Sequence, residues 1–187
     1  MKFNLIKFAG LILFVGTFQF IIMMIISEAL YPSYSIYKNY ISDLGVGSTA
    51  YIFNTSIVLF GILVIISSYL IFIKFKWRIF LSSITLSAIG AIGVGMFPEG
   101  SPFHLHTIMS LIVFLFGGIS AILSYKILNI PFNYVSVGCG AITLIALAMY
   151  IDDIYLSLGP GGMERMIVYP VLLWVIGFSG YLMSLKK

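Results

Sequence analysis

Six apolar runs, each long enough to cross a bilayer as a helix, leave this chain of 187 residues little freedom of architecture. Spanning a membrane takes about 20 mainly apolar residues in a helix. The runs fall at 8–27, 51–73, 79–97, 107–125, 134–156 and 166–185. Little sequence is left for a soluble domain, a linker or a tail, and the connections are short except the first. The expected fold is therefore all-α, a polytopic transmembrane helical bundle of six spans forming one domain over residues 1–187.

Composition agrees. Hydrophobic residues make up 61% of the chain and charged residues 9%, against about 45–50% and about 25% in soluble domains. Lys2 and Lys7 precede the first run, and Ser27-Glu28-Ala29 resembles a small-x-small cleavage site. The apolar stretch nevertheless exceeds the roughly 7–15 residues of a signal peptide, so a retained first span is expected. Cys139 is the only cysteine, which excludes an intramolecular disulfide and a cysteine-based metal site. The net charge of +4 forms no basic stripe suited to nucleic acid, and topology explains it.

With six spans the connections alternate between two sides. Lys2, Lys7, Lys74, Lys76, Arg78, Lys126, Lys186 and Lys187 fall on the side of the termini, eight of the ten basic residues. Excess Lys and Arg in short loops marks the cytoplasmic face, so both termini are expected in the cytoplasm of a cell whose plasma membrane holds the protein. The other side receives Lys38 and Arg165 with every acidic residue, Glu28, Asp43, Glu99, Asp152, Asp153 and Glu164, and both histidines, His104 and His106. The positive-inside bias says little about acids. Either that face uses these groups, or they solvate short loops there.

The first outer connection is rich in Tyr, Ser and Gly, and its tyrosines suit an interfacial aromatic belt. Within it, Ser42-Asp43 followed by Gly45 and Gly47 is equally an ordinary turn or part of a site. In "FPEGSPFHLH", Pro98 ends one helix and Ser101-Pro102 starts the next. His104 and His106 point about 200° apart on a helix, so one should face the bundle and the other the interface. Span five is expected to continue about a turn past Asp152 and Asp153, burying at least one near the membrane edge, with Arg165 as its partner. In "LGPGGMER" the glycines form a turn, Glu164 suits the positive end of the helix dipole and Arg165 enters span six. "GAIGVG", from Gly90 to Gly95, lies inside span three and reads as small residues for close helix packing.

The blocks "YISDLG", "FNTSIVLFG", "FPEG" with "HTIMSLIVFLFGG", and "ERMIVYPVLLW" occur in that order. With them the chain resembles an uncharacterised prokaryotic family of six-span proteins, domain-of-unknown-function family nine-nine-eight, distantly akin to the Frag/DRAM/Sfk group. The resemblance covers nearly the whole chain and implies the six-helix architecture. It implies a polar signature on Ser42, Asp43, Asn54, His106, Glu164 and Arg165, and it names no chemistry.

Two functions follow as expectations, both centred on a polar pocket at the extracytoplasmic face, built from the first connection and the outer ends of spans two to six. In the first, a lipid-active enzyme uses Asp43, His106, Asp152 and Arg165, with Ser42, Asn54, Glu99, Asp153 and Glu164 in support. Asp43, His106 and Asp152 would bind a divalent metal ion or act as acid and base, and Arg165 would grip a phosphate. In the second, the same residues hold a lipid headgroup or brace helices in a scaffold or accessory subunit. Membrane lipids are the expected partners of both, and the apolar helix faces are the surfaces for homo- or hetero-oligomers. Transport is weaker, because acids and histidines are missing from the middle and inner half of every span.

Overall fold

The computed structural model describes residues 4–185. Six helices form in order: α1 Leu5–Leu30, α2 Ala50–Phe75, α3 Arg78–Met96, α4 Leu105–Leu123, α5 Phe132–Ile151 and α6 Gly159–Ser184. No strand occurs among the described residues. All six helices are long and apolar enough to cross a membrane, and the protein is a multi-pass integral membrane protein. At 1.5 Å per residue, 26-residue α1, α2 and α6 are about 39 Å long. They project past a hydrocarbon core of roughly 30 Å.

Consecutive helices pack side by side and α6 returns to α1, closing a ring. A further contact between α4 and α6 leaves α5 outside that seam. Close approach depends on the small residues expected to mediate it: a Cβ on Gly90 would lie 2.6 Å from the Val113 amide nitrogen of α4, and one on Gly10 would lie 2.7 Å from the Ser179 carbonyl of α6. Hydroxyls then bond across the seams. Ser67 donates to the Ala9 carbonyl at 2.8 Å, Ser83 meets Ser120 at 2.9 Å, and Thr143 donates to the Ile167 carbonyl at 2.9 Å. Packing and such bonds replace the hydrophobic drive that helices in lipid lack.

The ring has two unlike ends. Toward the face holding the described termini, hereafter the terminal face, the core is Leu13, Ile71, Phe80, Trp174, Phe178 and Leu182. Toward the other, acidic face, Phe20, Met24 and Phe53 pack against Ile41 and Leu44 of the first connection. That connection folds into the bundle. Residues 42–45 and 47–49 form two short 3-10 turns, and Ile41, Leu44, Gly45 and Thr49 are buried.

Helix α5 differs from the span expected over 134–156. It stops at Ile151, and Asp152 and Asp153 lie beyond it, exposed. Asp153 adopts a left-handed φ of 56°, a conformation that Asp tolerates better than most residues. Its carboxylate accepts the Tyr155 hydroxyl at 2.6 Å, so the chain turns locally where the apolar run alone suggested more helix.

Candidate functional site

Arg165 organises the acidic face. It stands in the second turn of α6, only 5% exposed, and both terminal nitrogens of its guanidinium are engaged. Nη1 donates to the carbonyls of Gly161 at 2.8 Å, Asn39 at 3.2 Å and Ile36 at 3.4 Å. Nη2 donates to Glu28 Oε1 at 2.6 Å and to the Tyr34 hydroxyl. One side chain thereby joins the end of α1, the first connection and the start of α6. The loop reaches Arg165 because α6 opens on small residues: a Cβ on Gly161 would collide with the Asn39 carbonyl, and one on Gly159 with that of Tyr37.

Tyr34 extends the clasp by donating to the Tyr40 carbonyl at 3.2 Å. Burial pushes its phenol above the usual range, outweighing the downward pull of Arg165, and keeps the hydroxyl protonated. Glu164, also 5% exposed, accepts the backbone N–H of Ile41, with Ser42 close behind. The expected Asp-Arg pair is thus replaced. Arg165 pairs with Glu28, neither Asp152 nor Asp153 reaches it among the described residues, and no terminal nitrogen is left for a phosphate.

Asp43 answers the same loop. Its Oδ2 accepts the Asn39 side-chain amide at 2.9 Å and the Tyr40 backbone N–H at 3.1 Å, the bonding of a turn-forming Asp. It also shares a hydrogen bond with Glu99. Desolvation first, then that bond and the charge of Asp43, push the Glu99 carboxyl above its ordinary value. Asn54 of α2 donates to the Gly45 carbonyl at 2.9 Å, and its buried Oδ1 has no hydrogen-bond partner among the described residues.

The two histidines part, though not by helical spacing, because His104 precedes the first residue of α4. His104 is exposed with a left-handed φ of 54°. His106 is half-buried, with Nδ1 2.9 Å from the Phe97 carbonyl and Nε2 3.3 Å from the Ser110 hydroxyl. Among the described residues no three His, Cys, Asp or Glu side chains are grouped to hold a metal ion, so Asp43, His106 and Asp152 form no such group.

Beneath this polar layer lies a cavity of about 90 Å³. Its acidic-face end is lined by Ile41, Ser42, Glu164 and Ser110, and it runs between α1, α2, α3, α4 and α6 as far as Ile84, Ser120 and Trp174. Except for Glu164 and a few serines, its walls are apolar. Four features were not singled out from the residues: Glu28 as partner of Arg165, Tyr34, Ser110 and the mainly apolar lining of the cavity, where a polar pocket was expected. Ser110 carried the one available signal, standing four residues after His106 on the same helix face.

The model of a family described as "Protein of unknown function (DUF998)" matches residues 14–180. No curated protein and no solved structure matches the chain.

Proposed function

We propose, from the premise that the chain belongs to the DUF998 family, that it binds an amphiphilic lipid inside its own helix bundle. The lipid's chain enters the cavity and its polar end lies at the acidic face. The cavity carries this reading: a mainly apolar space that ends beside a carboxyl group and two serines. Pockets of this type, apolar with a few placed polar groups, are the usual form of a small-molecule site.

The lining also selects the head. A phosphate or carboxylate would meet the Glu164 carboxyl, while both terminal nitrogens of the guanidinium that would neutralise it are engaged elsewhere. The matching ligand has an uncharged head rich in hydroxyl or amide N–H donors. The excess of Lys and Arg on the terminal face supports placing the termini in the cytoplasm and the site on the extracytoplasmic side of the plasma membrane. Asp43, Asn54, Glu164 and Arg165 serve this function by holding the first connection over the cavity.

Native mass spectrometry of the protein purified in mild detergent tests the reading. The wild type should retain one lipid molecule per chain. Gly117→Ala adds a methyl at the cavity wall, 3.4 Å from its nearest neighbours and so without collision. It should reduce retention, and Ala91→Leu should reduce it further. Equal retention by all three proteins would assign the lipid to the outer surface and sink the proposal.

A further inference from the structure

We infer that Ser110 and His106 are a nucleophile and its base, positioned to cleave an ester in the amphiphile held by the cavity. The inference rests on the cavity reading above and adds a reaction to it.

Hydrogen bonding fixes the roles. The Phe97 carbonyl can only accept, so the bond at 2.9 Å requires the proton on His106 Nδ1. In the neutral ring Nε2 then carries a lone pair, and the Ser110 hydroxyl 3.3 Å away donates to it. A base that accepts from a hydroxyl, itself oriented through its other nitrogen, is the arrangement that activates serine nucleophiles. The carbonyl of Phe97 holds the tautomer as a carboxylate does in other such sites.

Serines elsewhere in the helices make the pairing unusual for this fold. Ser27, Ser56, Ser120, Ser136 and Ser179 all give their hydroxyls to carbonyls of their own helices. Those bonds satisfy a polar group in lipid and leave no nucleophile. Ser110 instead turns to an imidazole, and it lines the cavity at the end nearest the acidic face. Both residues are half-buried.

The chemistry balances with water as the only co-reactant. Ser110 Oγ attacks the ester carbonyl carbon as its proton passes to His106 Nε2. The carbon–oxygen bond to the alcohol breaks, and His106 returns the proton to the departing oxygen. Water, deprotonated by His106, then attacks the acyl carbon; the bond to Ser110 Oγ breaks, the acid leaves, and His106 returns the proton to Oγ.

Two alkyl fluorophosphonates test this with the full chain in detergent, one with a short chain and one with a long chain. Intact-mass and peptide analysis should find one adduct, on Ser110, in the wild type. Ser110→Ala should abolish it. His106→Gln, which keeps a hydrogen-bonding side chain but no base, should slow it about a hundredfold or more. No adduct, an adduct elsewhere, or a rate unchanged in His106→Gln would overturn the inference. Lipid retention without Ser110 labelling would overturn the pair and leave the cavity reading standing. Labelling that survives Gly117→Ala and Ala91→Leu with both probes would support the pair while breaking the cavity reading.

Discussion

The two faces of the bundle handle charge in opposite ways. On the terminal face, cations lie over aromatic rings at the surface: Lys76 Nζ is 5.4 Å from the centre of Phe72, and Lys126 Nζ is 5.3 Å from that of Trp77. Beneath them the core is aromatic, with Trp174 stacked on Phe178 at 5.5 Å and Phe80 edge-on to Phe178 at 5.8 Å. On the acidic face Lys38 stays exposed, but Arg165 is buried and gathers three segments. Charge is peripheral to packing at one end and organises it at the other.

The largest test of that contrast removes the buried cation. Arg165→Ala leaves Glu28 without its partner and several loop carbonyls without donors. Breaking a buried pair from one side costs about 3–5 kcal/mol. Thermal unfolding in detergent should therefore shift strongly downward. Lys126→Ala, at the surface of the terminal face, should stay within about 0.5 kcal/mol of wild type. Arg165→Lys should behave more like the alanine variant, because an ammonium cannot present the same fork of donors. Comparable losses from Arg165→Ala and Lys126→Ala would erase the distinction between the faces.

A smaller test asks whether one neutral bond at the terminal end rivals the charged clasp. Trp174 Nε1 donates to Ser124 Oγ at 2.9 Å, and both residues are buried. Ser124→Ala strands the indole N–H. A single interhelical bond in a membrane protein contributes about 0.6 kcal/mol on average, up to about 2. The expected loss is roughly a quarter of that for Arg165→Ala, read in the same detergent and by the same unfolding assay. A loss as large as that of Arg165→Ala would show that hydrogen bonding holds the terminal end as firmly as charge holds the acidic one.

The same contrast explains what the sequence made legible. Hydropathy reports the solvent around each segment, so six spanning helices could be read directly, and so could the glycines packed at Gly90 to Gly95. Charge sorting located the face where Asp43, Glu164 and Arg165 meet. It could not choose the partner of Arg165, because Glu28 and Asp152 both fall on that face and only the end of α5 at Ile151 separates them. The turn-forming and site readings of Asp43 rested on the same residues. Which contacts it makes depends on where Asn39 and Tyr40 fold. The cavity is a space between helices, and no residue pattern announces where side chains fail to meet.

The finest test uses pH, because every acidic side chain in the sequence lies on one face. Glu99, exposed on this face, lies beside Asp43. Desolvation, then the bond and the charge of Asp43, raise the Glu99 carboxyl in the folded protein. The native state therefore keeps the Glu99 proton to higher pH than the unfolded chain, whose Glu titrates near about 4.3. Below that value both states are protonated and the pair's contribution is fully present. As pH rises toward the folded value the native state binds more protons than the unfolded one, so stability falls with pH until Glu99 ionises. Glu99→Gln keeps a hydrogen-bonding side chain and removes the titration. Its unfolding temperature in detergent should vary less than that of wild type between about pH 4 and about pH 7. It should exceed that of wild type at the upper end. If the two proteins traced the same slope, the loss of stability with rising pH would belong to other carboxyls of the clasp, and the pairing of Asp43 with Glu99 would not be what couples the first connection to the one between α3 and α4.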